Sequence, residues 1–283
     1  MKQTKETTVP SLINLDQLNF PKASPQAAKV LSYLSNEDPD MDEVDSIIMQ
    51  DPVLAGTLLR YANSPLYRRG GEISNVPAAT RMIGIKNVRS AVVMTTLRAT
   101  CPAESELTTN ILQHSLGIAA LCKLIAKKSC PTAADDLELL GLIHDIGMVV
   151  LACNVEAEYQ LLLARAQAEN IAVDKLEKIE FGFTHDQIAA RALHEFRLPK
   201  RHETVLTHFH QPPDENETDE ALKKERAVLV LAHRLLFDMR GDAAGNETFF
   251  ESTDELMRIL NLDEAALETV IEQALAHFAD FAG

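Results

Sequence analysis

Two dipeptides, His144-Asp145 and His185-Asp186, set an imidazole beside a carboxylate. The first lies within Leu139-Leu140-Gly141-Leu142-Ile143-His144-Asp145-Ile146-Gly147, a run otherwise free of charge. An ionised carboxylate in such a run is costly unless a metal ion or a hydrogen-bond network compensates it. With nine histidines and 42 acidic residues in 283 positions, a His-Asp pair arises readily by chance, so context must decide. That context is His114 upstream and His185, His208 and His210 downstream. Each has a purely structural reading as well. His114 suits a core histidine bonded to a carbonyl, and His144 with Asp145 a buried structural pair. His185 suits a residue flanking the helix that starts at Asp186, and His208 and His210 suit surface positions before Pro212.

The elements that must position these groups read as helices throughout, because capping and stop signals recur while period-two alternation does not. Ser24-Pro25 opens a helix with Ala27, Leu31 and Leu34 on one face. Asp40 with Glu43 forms a capping box ahead of Val44, Ile47 and Ile48, and Asp51-Pro52 starts a third helix that Asn63-Ser64-Pro65 ends. Arg68, Arg69 and Gly70-Gly71 form a flexible basic turn, and Asn63 and Ser64 are expected to bond to nearby backbone. A short helix over 76–83 is expected to end at Gly84 in the left-handed conformation, followed by another over 88–99. Cys101-Pro102 then breaks the pattern. Ile111, Ser115, Ile118, Cys122 and Ile125 form one row of a buried helix. Residues 137–151, apolar nearly all round and capped by Asp135 or Asp136, predict a single helix at the centre of a bundle. Further helices are expected over 156–170, 186–196 and 221–239, with exposed connections at 212–219 and 240–246. Ser252 with Glu255 caps another helix, and Leu267, Val270, Ile271, Ala274 and Phe278 mark a terminal amphipathic one.

The His144-Asp145 context resembles the HD superfamily of metal-dependent phosphohydrolases. Ordered signatures in the first half sharpen this to the HDOD domain, an HD-related output domain of bacterial signalling proteins. They are Phe20-Pro21-Lys22-Ala23-Ser24-Pro25, Ile48-Met49-Gln50-Asp51-Pro52-Val53-Leu54, Asn63-Ser64-Pro65-Leu66-Tyr67, Ile73-Ser74 and Met82-Ile83-Gly84. The resemblance spans about residues 19–212. It implies an all-α, HD-domain-like helical bundle with an N-terminal helical subdomain, in a module described as regulatory. The implied divisions are an extension over 1–18, the N-terminal subdomain over 19–105, the HD-like subdomain over 106–212, and C-terminal helices over 213–283 completing the bundle.

The resemblance also implies a ligand set: His114, His144, Asp145, His185 and His210 are of the right types for one divalent ion, Fe, Mn, Ni or Zn. Asp145 is the residue of catalytic interest if the ion activates a water for attack on phosphorus. Two departures point away from hydrolysis. His233, in Leu231-Ala232-His233, stands where an active HD enzyme is expected to carry an aspartate, and is read as filling space or bonding to Asp145. Phe209 stands where the second of two adjacent histidines is often found. A dinuclear site would then be poorly neutralised, with Asp145 its one well-placed carboxylate.

Composition narrows the function classes. A net charge of −15 disfavours attraction to nucleic acid or to an anionic membrane face. No C-x-x-C spacing links Cys101, Cys122, Cys130 and Cys153, which fits a reducing, cytoplasmic compartment and neither a zinc ribbon nor a thioredoxin-like motif. The expected partners are a signalling protein or a small phosphorylated ligand. The competing reading is a phosphohydrolase acting on a nucleotide or other phosphate ester.

Overall fold

The computed structural model describes residues 13–36, 38–68, 70–100, 105–196, 198, 200–207, 209, 218–240 and 252–279. Among them it shows α-helices, two short 3-10 turns and no strand, so the all-α expectation holds. The expected loop at 240–246 apart from Arg240, which ends the helix before it, most of that at 212–219 and the Cys101-Pro102 break lie outside the described residues, as do Arg69 and most of the N-terminal extension.

The N-terminal helices are α1 (Pro25–Tyr33), α2 (Met41–Met49), α3 (Pro52–Ala62), α4 (Val76–Ile83) and α5 (Ile85–Thr100). Their starts are set by side-chain caps on otherwise unpaired N–H groups. Ser24 Oγ accepts from the Ala27 amide, Asp40 from Asp42 and Glu43, and Asn75 from Ala78. Asp51 does more than cap. Its Oδ1 accepts from Val53 and Leu54 at 3.0 and 3.1 Å, while its Oδ2 accepts from Ser24 Oγ at 3.0 Å, tying the starts of α1 and α3 together. Asn63 closes α3 and bonds locally, as expected. It also exchanges two bonds with Ile73, donating to its carbonyl at 2.7 Å and accepting from its amide at 2.8 Å. Gly84 has φ +80° but ψ 163°, so the turn between α4 and α5 uses an extended glycine conformation and not the left-handed helical one expected.

The centre is built on α6 (Glu106–Ser129), whose expected row, Ile111, Ser115, Ile118, Cys122 and Ile125, is buried. The expected helix over 137–151 is two: α7 (Ala134–Ile143) and α8 (Ile146–Asn154), with His144 and Asp145 at the break. The reason is tertiary. Gly141 lets α7 lie against α6 so closely that a Cβ there would stand 2.8 Å from Ala119 Cα. At Gly147 a Cβ would stand 1.9 Å from the His185 carbonyl oxygen, so α8 must turn away from the line of α7 to pack on the segment that carries His185. The expected cap by Asp135 or Asp136 is absent: Asp135 bonds to Lys123 at 3.0 Å and Asp136 to Lys86 at 2.8 Å.

After α9 (Glu156–Glu169) come α10 (Val173–Glu180), α11 (His185–Glu195) and α12 (Lys200–Thr207). The helices α10 and α12 were not expected. Each is a short helix of eight residues with only two or three buried side chains. The chain ends in α13 (Glu220–Arg240), α14 (Thr253–Leu260) and α15 (Glu264–Ala279). Both α13 and α15 pack on α6, and α11 packs on α8. No helix among the described residues is long and apolar enough to cross a membrane.

A buried polar network joins the N-terminal helices to the centre. Lys123 on α6 donates to Glu138 Oε2 on α7 at 2.6 Å, to the Tyr67 hydroxyl at 2.6 Å and to Asn87 Oδ1 at 3.1 Å. Tyr61 and Tyr67 both donate to the Glu138 carboxylate. Lys123 and Glu138 are 4% and 1% exposed, so each charge depends on the other. Lys123→Met, which leaves Glu138 buried without its cation, is expected to cost about 3–5 kcal/mol in urea unfolding, and Lys123→Met with Glu138→Leu distinctly less.

Candidate metal centre

Two helices and one interhelical break converge on a single point. His114 projects from the third turn of α6, His144 and Asp145 form the α7–α8 break, and His233 lies in the middle of α13. One ring nitrogen from each of His114, His144 and His233 lies within 4.8 Å of the others. The ring centroids are 4.6 Å apart for His144 and His233, 5.1 Å for His114 and His233, and 5.3 Å for His114 and His144. Asp145 closes the group: its Oδ2 is 2.9 Å from His144 Nε2 and 3.6 Å from His114 Nε2.

The protonation of His144 follows from its neighbours. Its Nδ1 is 2.8 Å from the Gly141 carbonyl oxygen, which can only accept, so Nδ1 carries the proton. In the neutral ring Nε2 then presents a lone pair to the Asp145 carboxylate. Two lone pairs at 2.9 Å repel, and the contact lacks the alignment of a hydrogen bond. A second proton on the ring or a shared cation relieves the clash. Asp145 Oδ1 is also buried and has no hydrogen-bond partner. A histidine with one nitrogen fixed by a carbonyl and the other turned inward is the usual posture of a metal ligand.

The donor set suits a cation of intermediate softness: three imidazoles and one carboxylate. Donors around one ion at bonds of roughly 2.0–2.2 Å stand about 3–4 Å apart, and the three imidazole nitrogens lie within 4.8 Å of one another, with Asp145 adjoining two of them. Phe209 and Phe237 cover the group. The Phe209 ring centroid is 4.9 Å from that of His233 and 6.1 Å from that of His144, and Phe237 is 6.2 Å from both His114 and His233. At the position expected to lack a ligand, an aromatic ring walls the site.

Of the five residues expected as ligands, the structure brings His114, His144 and Asp145 together. His210 lies outside the described residues, as does His208. His185 is the first residue of α11, matching its reading as a flanking residue, and stands apart from the three-imidazole group. Its Nδ1 and its backbone N–H both lie 2.7 Å from Glu177 Oε2, and Tyr159 donates to Glu177 Oε1 at 2.7 Å. His185 is still near enough to act on Asp145 through its charge. The sequence reading missed His233 as a member of the group. It stands fully buried in Val228-Leu229-Val230-Leu231-Ala232-His233, the same signal of an ionisable group in an apolar run that singled out His144.

Burial pushes the Asp145 carboxyl up, but His144 above all, and then His114 and His185, outweigh it and hold the group well below the usual carboxylate range. A folded-state pKa below the unfolded value of about 3.9 contributes stability that is fully present above that value and is lost as the pH falls towards the folded one. The unfolding free energy is therefore expected to drop between about pH 5 and more acid values, and Asp145→Asn to flatten that drop in urea titrations repeated across the range.

Residues 20–212 match the HDOD domain family. Among solved structures the chain is similar to an HDOD domain protein of unknown function from Geobacter sulfurreducens, with 22% identity and a TM-score of 0.69, over 93% of this chain and 86% of that one. It is also similar to a presumed phosphohydrolase from Shewanella amazonensis SB2B, at 20% identity and a TM-score of 0.70, over 93% and 94% of the two chains. A third likeness, to a presumed signal transduction protein from Marinobacter aquaeolei VT8, has 20% identity and a TM-score of 0.74, over 98% of this chain and 62% of that one. At these identities the structural likenesses establish the fold. No curated protein matches the chain. With its ordered motifs and a family match over most of its length, the chain belongs to the HDOD domain family.

Proposed function

We propose that this chain is a regulatory HDOD module whose degenerate HD centre binds one divalent ion and which acts by binding a signalling protein or a small phosphorylated ligand. The observation that carries the reading is the 2.9 Å approach of His144 Nε2 to Asp145 Oδ2 with His144 Nδ1 held on a carbonyl, an arrangement that a shared cation would relieve. His114, His144 and His233, with Asp145 beside them, would hold that ion, of the Fe, Mn, Ni or Zn class. A bound divalent ion supplies Lewis acidity and four-way cross-linking of the bundle.

The chain's own residues weigh against hydrolysis. Three neutral imidazoles and one carboxylate leave a single divalent ion with net positive charge, and a second ion has no comparable acid to neutralise it. The nearest alternatives are engaged elsewhere: Glu177 holds His185 and Tyr159, and Asp186 lies 3.5 Å from His185 Nε2. Phe209 and Phe237 narrow access from solvent. The competing reading, a phosphohydrolase, keeps the same ligands and makes the ion's water the nucleophile.

Untagged protein purified without chelator is expected to carry about one transition-metal ion per chain by elemental analysis, and His144→Ala and His233→Ala each to lose at least 90% of it. Activity towards generic phosphate esters with added manganese is expected to stay at background. Metal-free protein would overturn the ion, and turnover abolished by His144→Ala would replace the regulatory reading with the enzymatic one.

A further inference from the structure

Beside the Lys123–Glu138 network lies a cavity of about 130 Å³, walled by Tyr61 and Tyr67, Met94 of α5, and Leu116 and Ala120 of α6. Its polar groups are unusual for a chain with 42 acidic residues and 27 basic ones. Arg60 of α3 and Arg98 of α5 both line it, and neither is paired with an acid among the described residues. Arg60 donates to Thr57 Oγ1 at 3.1 Å, and Arg98 has no hydrogen bond among the described residues. Burial, and then the neighbouring Arg60 charge, hold the Arg98 guanidinium below its ordinary range. The acid in the wall, Glu138, is already answered by Lys123 at 2.6 Å and by two tyrosine hydroxyls, so it does not neutralise the arginines. Both arginines are exposed, so water screens their mutual repulsion, and two guanidiniums that line one apolar and aromatic hollow offer donors to an anion placed between them.

We infer that this cavity binds a small organic anion: a body of one aromatic ring or a short alkyl chain against Tyr61, Tyr67, Met94 and Leu116, and one carboxylate or phosphate head on Arg60 and Arg98. The volume fits that body, since an apolar cavity of about 150 Å³ accepts a benzene ring. The mix of apolar wall and few convergent polar groups is that of a ligand pocket. Its walls come from both the N-terminal helices and α6, so an occupant bridges them and offers the module an input separate from the metal centre. The inference does not depend on the ion proposed above.

Isothermal titration with benzoate, phenyl phosphate and the neutral benzyl alcohol tests it on the wild type and on Arg60→Gln, Arg98→Gln and His144→Ala. At least one of the two anions is expected to bind at least tenfold more tightly than benzyl alcohol. That advantage is expected to fall at least tenfold in each arginine variant and to survive in His144→Ala, and the better of the two anions names the head group. Equal binding of charged and neutral probes, no binding of either anion at millimolar concentration, or anion binding lost in His144→Ala but kept in Arg98→Gln would each overturn it.

Discussion

The structure turns on a carboxylate that has been taken out of water. Asp145 is 4% exposed and sits with His144 where α7 gives way to α8, and α6 and α13 bring two further imidazoles to the group. A buried ionised acid persists only with cations or donors around it. The convergence of α6, α7, α8 and α13 supplies them. Gly141 and Gly147 permit that convergence, because a methyl group at either position would collide with the backbone of a neighbouring segment. Helix packing and site chemistry are thus one constraint seen at two scales: the close crossings that bend the chain at His144 are also what aim its Nε2 inward.

Two buried polar groupings lie along the same α6 helix and serve different ends. Around Lys123 every acceptor and donor finds a partner, the condition under which a buried ion pair is tolerable and holds two layers in register. Around Asp145 the pairing is incomplete: one oxygen has no hydrogen-bond partner and the other faces a ring nitrogen without hydrogen-bond alignment. Such incomplete satisfaction is the observation on which the proposed ion rests. At the position expected to be aspartate, His233 brings an imidazole and no negative charge to the group.

The family and the all-α class were legible from the chain because they rest on local signals. Caps such as Ser24, Asp40, Asp51 and Ser252 accept from the amides two or three residues on, so their spacing is read directly. The ordered motifs from Phe20 to Gly84 are likewise contiguous in sequence, and they carried the assignment to HDOD. His114, His144 and Asp145 were found because an ionisable group in an apolar segment is conspicuous before any fold is known.

Other features were set by contacts between distant residues and left no local trace. The break of 137–151 into α7 and α8 is imposed by the approach of Ala119 and His185 to two glycines, and nothing within that apolar run signals it. The helices α10 and α12 are only eight residues long and bury two or three side chains each. His233 became a member of the imidazole group, and His185 was drawn to Glu177, only through how α13 and α11 lie against their neighbours. Sequence alone established which residue types were available and which helices would carry them. The tertiary structure decided which side chains share a point in space, because long-range packing, not spacing along the chain, brings α6, the α7–α8 break and α13 together.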